Sequence, residues 1–160
     1  MSRFDNEVRV TPSVLDRLLD YEPEISREAV ASRSKNLRLL KQSVRRDLEW
    51  LLNTRRTPWI PEELVEVRHS VAAYGLPDFT GISMKNYEEC QRLLADVAET
   101  VRIFEPRLAN VRVEMEGESG HGIAMRFRID GQLKVEPAPE PVSFDTRINS
   151  SLRAFEVRGD

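Results

Sequence analysis

Few side chains in this sequence are both chemically capable and grouped. Glu105 and Arg107 flank Pro106 in the run IFEPRLANVRVEME. A carboxylate at that place could act as the acid of a glycosidase if a second carboxylate faced it across a cleft. The chain holds 27 Asp and Glu residues, so a match of that kind is cheap. The same residues have a structural reading, because a Glu before proline can be held by fixed hydrogen bonds. Arg107 also offers a planar fork to a carboxylate or carbonyl, within the chain or on a partner. Spacing therefore assigns the corner to folding or assembly ahead of catalysis. Ser119 and His121, in GESGHG, could form a nucleophile and its base, but they fall at an expected hairpin tip with no third partner in sequence. The glycines there lack the Lys-Ser/Thr ending and the strand-to-helix context of a phosphate loop. His69 and His121 are the only histidines and lie in different elements, which argues against a zinc site. The single Cys90 allows no internal disulfide and sits on an apolar helical stripe, the place of a small buried hydrophobe.

The corner separates two backbone programmes. Before it, Tyr87, Cys90, Leu94, Val97, Val101 and Phe104 recur at helical spacing and predict one apolar stripe on a helix over 84–104. After it, Val111, Val113 and Met115 alternate with Asn110, Arg112, Glu114 and Glu116, the period of a half-buried strand over 109–116. Pro106 is the break, since its ring is excluded from a helix interior and restricts Glu105 as well. A second helix is expected over 34–53, with Leu37, Leu40, Val44, Leu48 and Leu51 on one buried face. Arg38, Lys41 and Arg45 form a basic strip elsewhere on it, with Arg46 beside them. Asp47 and Glu49 would partly neutralise a solvated face, and a docking strip for an acidic partner is the other reading.

Other elements are shorter. Thr11-Pro12-Ser13 begins a small helix carrying Val14, Leu15, Leu18 and Leu19, and 22–33 is a connector. TRRTPWIPEEL cannot continue a helix, so Trp59 and Ile60 are expected to plug either the core or a partner surface from a loop. A short helix runs from Pro61 through Val65 and Val71 to a stop at Gly75 and Pro77. Further strands are expected over 122–135 and from Val142 to Thr146 or Ile148, with a strand or hairpin over Leu152 to Val157, a bulge or turn at Asp130-Gly131 and an unpaired PAPEP connection. Helices followed by a β meander predict an α+β fold, with N-terminal helices packed on one face of a C-terminal antiparallel sheet. One domain is expected overall, residues 1–33 forming a helix and connector and 34–160 the α+β unit.

Composition narrows the function classes. The chain has 160 residues, 40% hydrophobic and 32% charged, with a net charge of -3. That balance does not favour a nucleic-acid binder, which needs an excess of Lys and Arg. No run reaches the length of a membrane helix and the start has charges where a leader peptide needs an apolar core, so a cytoplasmic protein without direct membrane insertion is expected.

Four ordered motifs carry a more specific signal: SVRRDLEWLLNTR at 43–55, YGLPDFTG at 74–81, FEPRL at 104–108 and EPAPEPVSFDT at 136–146. Together they resemble the TssE family of type VI secretion baseplate subunits, relatives of the contractile phage tail wedge proteins once labelled lysozyme-related. The resemblance spans about residues 12–158. It implies a structural subunit that takes no cofactor, joins the baseplate wedge and helps start assembly of the contractile sheath. Its implied partners are TssF, TssG, TssK as a further candidate, and the sheath itself. It places the family's Glu-Pro-Arg element on Glu105, Pro106 and Arg107, with Leu108 beside them, and assigns that element to contacts within the wedge. The competing readings are a peptidoglycan hydrolase using Glu105 and an adaptor for acidic proteins.

Overall fold

A computed structural model describes residues 14–18, 33–61, 63–83, 86–116, 124–149 and 154–159. Ser119, His121 and the expected connector over 22–33 lie outside them. The predicted stripes produce the two long helices. In α2 (Arg33–Asn53) Leu40, Val44, Leu48 and Leu51 are buried, joined by Leu52, while Leu37 packs on the margin. In α4 (Tyr87–Phe104) the buried positions are Cys90, Leu93, Leu94, Val97, Ala98, Thr100 and Val101. Asn86 caps α4, its side chain accepting from the backbone N–H groups of Glu88 and Glu89, which satisfies two orphan donors of the first turn. Tyr87 departs from expectation: it is 69% exposed, because at the first turn the helix reaches past the surface it packs against.

Five-residue α1 (Val14–Leu18) precedes these helices, and α3 (Val65–Arg68) lies between them. The single helix expected from Pro61 to Val71 is divided: α3 ends near His69, and Ser70 starts a separate 3-10 turn at Val71–Ala73 by accepting from the Ala72 N–H. Gly75 follows with φ 105°, and a Cβ there would stand 2.3 Å from the Thr54 carbonyl oxygen. Only glycine fits that approach, which lets Leu76 N donate to Thr54 O at 2.9 Å and Arg56 N donate to Leu76 O at 2.9 Å. Leu76 and Phe79 of the YGLPDFTG run are thereby placed in the core.

Four strands form one antiparallel sheet in chain order: β1 (Leu108–Glu116), β2 (Ala124–Leu133), β3 (Glu140–Asn149) and β4 (Ala154–Gly159). One face buries Met125, Phe127, Ile129 and Leu133 from β2, Val142, Phe144, Thr146 and Ile148 from β3, and Phe155 and Val157 from β4. Helix α4 lies against β1 and α2 against β4, so the α+β arrangement is as predicted. Phe155 meets Phe79 and Phe127 edge to face, with centroids 5.1 and 6.0 Å apart.

Two strand expectations are corrected. Asp130 and Gly131 neither turn nor bulge β2; they pair with Ser143 and Val142 in an unbroken register, and the irregularity lies on β1 between Ala109 and Arg112. There Asn110 takes φ 53° and donates from Nδ2 to Gln132 Oε1 at 2.9 Å. The PAPEP run is also only partly a connection, since Glu140 and Pro141 open β3 opposite Leu133 and Gln132. Pro141 is tolerated because β4 pairs with β3 only from Phe144 onward, so that end of β3 has no neighbour on the second side.

Candidate functional site

The corner is built where α4 must stop. Glu105 N–H makes the last helical bond to Val101 O, and Leu108 N–H then donates to Glu105 O at 3.1 Å, turning the chain around Pro106 into β1. The end of β2 fastens the turn from outside, Lys134 N donating to Arg107 O at 2.9 Å and Lys134 Nζ to Pro106 O at 2.8 Å.

Glu105 is buried, only 3% exposed, although it carries a carboxylate. Its charge is met by the arginine two residues on. Arg107 Nε donates to Glu105 Oε1 at 2.7 Å and Nη2 to Oε2 at 2.5 Å, a bidentate fork, and the Arg107 backbone N–H adds a third bond to Oε1 at 3.2 Å. The rest of the guanidinium reaches α2: Nη1 donates to Ser43 Oγ at 3.0 Å and Nη2 to Asp47 Oδ2 at 2.6 Å. Burial acting alone would lower the Arg107 pKa, but the hydrogen bond and charge of Glu105, then those of Asp47, raise it instead. The guanidinium is permanently charged.

Asp47 passes the network outward. Its Oδ1 accepts from Arg46 Nε at 3.0 Å and Nη2 at 2.8 Å, and the Arg46 guanidinium lies 5.4 Å from the centre of the half-exposed Trp50 ring. Asp47, Leu51, Tyr74, Phe104, Glu105, Pro106 and Arg107 line an open groove of about 480 Å³. Tyr74 meets Phe104 edge to face at 5.3 Å, and its phenol pKa is raised by burial first and then by the charges of Asp47 and Glu105.

The groove is thus lined by apolar and aromatic side chains together with the Glu105–Arg107–Asp47 network, whose donors and acceptors already face one another. It can receive a side chain. A general acid needs a transferable proton aimed at the substrate, whereas both Glu105 oxygens here accept from a guanidinium.

The residues singled out in sequence are not all alike. Glu105 and Arg107 come together as expected, Pro106 is exposed, and Leu108 is buried under the sheet. On α2, Arg38 is exposed, while Lys41 approaches Glu140 at 3.9 Å and Arg45 turns to the sheet, donating to Val157 O at 3.1 Å and Glu49 Oε2 at 3.4 Å. The basic strip is therefore partly used to hold the helix to β3 and β4. His69 is exposed beside α3, and the Cys90 thiol is buried, its pKa pushed up by burial and then by Glu89. Among the described residues no group of three or more His, Cys, Asp or Glu could hold a metal ion, and no helix is long and apolar enough to cross a membrane.

Sequence reasoning missed Ser43 and Asp47 as partners of the corner. Asp47 was legible in one respect: it falls three residues after Val44 and four before Leu51, on the flank of the buried stripe, where an unpaired carboxylate would be costly.

A family model described as baseplate wedge protein gp25 matches residues 38–138, from α2 through the corner and β2 to the β2–β3 connection. No curated protein and no solved structure matches the chain.

Proposed function

Because the chain belongs to the baseplate wedge protein gp25 family and so has a structural role in a phage-tail-like baseplate, we propose that it is the TssE-type wedge subunit of a type VI secretion machine. In this reading it works in the cytoplasm, joins TssF and TssG, with TssK as a further partner, and helps start assembly of the contractile sheath. The observation that carries the reading is the family match, which takes in both halves of the corner: Asp47 on α2 and Glu105 to Arg107 after α4. The four motifs read in sequence add the type VI character.

The corner geometry supports an assembly role over a hydrolytic one. A glycosidase needs two carboxylates facing one another across a substrate or water. Glu105 and Asp47 instead share one arginine, and Asp47 holds a second. No release of soluble fragments from purified peptidoglycan is expected, with or without Glu105→Gln.

Co-expression with TssF and TssG tests the proposal, followed by purification through a tag on this chain. Recovery of a defined complex is expected. In the native cell, deletion of the gene is expected to abolish fluorescent sheath assembly and the wild-type gene to restore it. Normal sheaths in the deletion strain would refute the role.

A further inference from the structure

Between α2 and α4 the chain forms a small lobe that faces water with an unusual surface. Its base is fixed by the Thr54–Leu76 and Arg56–Leu76 backbone bonds, and Thr57 N donating to Ala72 O at 3.3 Å draws the incoming loop against the 3-10 turn. Helix α3 within it buries none of its residues. Trp59 is 79% exposed and Val71 88%, with Leu64 48% and Val65 55%. The expectation that Trp59 plugs the core is thus corrected, and its other form, a contact with a partner, is left. Pro58 and Pro61 stiffen the chain on either side of Trp59, so covering the indole costs less entropy than it would on a free loop. Exposed aromatic and aliphatic side chains on a fixed frame are the composition of an interaction hot spot.

Charge says what kind of partner fits. Glu63 and Glu66 are exposed on the same lobe and make no ion pair among the described residues. The lobe's basic residues are already engaged: Arg68 pairs with Glu99 at 3.1 Å, Arg55 with Asp78 at 3.9 Å, and the charge of Arg56 acts on Asp96 of α4. The charge of this surface that no ion pair answers among the described residues is thus acidic, which repels nucleic acid and anionic lipid and attracts Lys and Arg. We propose that this lobe is a second docking surface, separate from the Glu105 corner, for a protein segment that presents apolar anchors flanked by basic residues. The inference rests on the baseplate reading for its biological setting, since that segment would belong to another wedge subunit.

Two arms test it. In the first, the isolated chain carrying Trp50→Phe keeps Trp59 as its one indole, and its emission is followed while an amphipathic Leu-Lys peptide or its Leu-Glu counterpart is added. A blue shift with the Leu-Lys peptide, absent with the Leu-Glu peptide and removed by Glu63→Lys with Glu66→Lys, is expected. No response to either peptide, or a response to the acidic one, overturns the inference while leaving the baseplate reading intact. In the second arm, Trp59→Ser with Val71→Ser is expected to weaken assembly with the co-expressed wedge subunits about tenfold or more. Its melting temperature should stay nearly unchanged, because these side chains bury little surface. Full assembly by this variant overturns the inference, as does self-association of the wild-type chain through the lobe, which would make the occupant a second copy. Failure of the wild-type chain to assemble with those subunits counts against the baseplate reading alone, because the first arm stands on the isolated chain.

Discussion

Arg107→Ala is the sharpest probe of how the corner works. The substitution leaves Glu105, 3% exposed, with only the backbone N–H of residue 107 at 3.2 Å as a partner among the bonds it now has to that residue. Removing one member of a buried ion pair costs about 3–5 kcal/mol, because the other charge stays out of water without compensation. Two features place this case toward the lower end: the Arg107 side chain is itself 21% exposed, and Asp47 keeps Arg46. A loss of about 3 kcal/mol is expected, which for a chain of this size lowers the melting temperature by roughly 6–12 °C. Circular dichroism during heating and urea titration measures it on the isolated chain. Arg107→Lys should recover less than half of the loss, since an ammonium cannot hold both Glu105 oxygens and reach Ser43 and Asp47 together. Glu105→Gln combined with Arg107→Met should cost less than Arg107→Ala alone, because no charge is then stranded. A melting temperature unchanged in Arg107→Ala would refute the reasoning and show that the network holds nothing together. It would also make any assembly defect of that variant a direct loss of partner contact, which is why the melt has to accompany every pull-down.

The Tyr74 phenol has a pKa raised above its ordinary 10.0. The folded state then keeps a proton that the unfolded state has released, so stability is full below pH 10 or so and falls as pH rises through the folded value. Melting curves across that alkaline window should show a decline that Tyr74→Phe flattens; an equal decline in both would place the titration elsewhere. Gly75→Ala should destabilise by about 1–3 kcal/mol or more, since it forces a Cβ into a left-handed conformation and toward the Thr54 carbonyl; denaturant midpoints within error of wild type would disprove the close approach. Asn53 donates from Nδ2 to Phe155 O at 2.9 Å and accepts from Phe155 N at 2.8 Å. Asn53→Ala should cost about 1–2 kcal/mol, and Asn53→Asp no less, because it keeps the acceptor but turns the donor into a charge facing a carbonyl; a stable Asp variant in urea titration would contradict this.

The parts of the fold that were legible in sequence are those where one residue's environment repeats along an element. Leu40, Val44, Leu48 and Leu51 could be read because a helix laid along a sheet buries every third or fourth position, and all four are buried. Tyr87 continues the same spacing and is exposed, because periodicity reports a direction on the helix and says nothing of where the opposing surface ends. The sequence marks Asp130-Gly131 as a bulge or turn, yet Gly131 stands at an inward position of an unbroken β2, where a Cβ would lie 3.4 Å from Ala109 O and 3.6 Å from Leu108 Cδ2. The glycine gives room to β1, and the distortion falls on the other strand at Asn110. Sequence alone does not say which of two paired strands yields. The corner itself was legible as far as Pro106 and its two charged neighbours, because they are local. Ser43 and Asp47 were not, since they lie 64 and 60 residues away from Arg107 and are joined to it only by the fold.

What the distant partners add is a change in what the corner can be used for. Helix α2 is fixed to the sheet at two separate places: Asn53 and Arg45 bond Phe155 and Val157 of edge strand β4, and Asp47 with Ser43 holds the turn that leads into edge strand β1. Backbone groups on β4 that would otherwise stand open are satisfied by side chains of the helix, the usual protection of a sheet edge. Arg102 does the same at the bulge of β1, donating to Val111 O at 2.9 Å. The sheet and both long helices are therefore tied as one body whose polar groups are largely answered within it. A partner that docks in the groove meets Pro106, Tyr74 and Phe104 on a frame already set by the Glu105–Arg107–Asp47 chain. It gains affinity because little is left to order on binding. On the proposed docking role, Arg107 would act on assembly through the shape it maintains, and a wedge contact at the corner and a stable monomer would both depend on the bonds of its guanidinium.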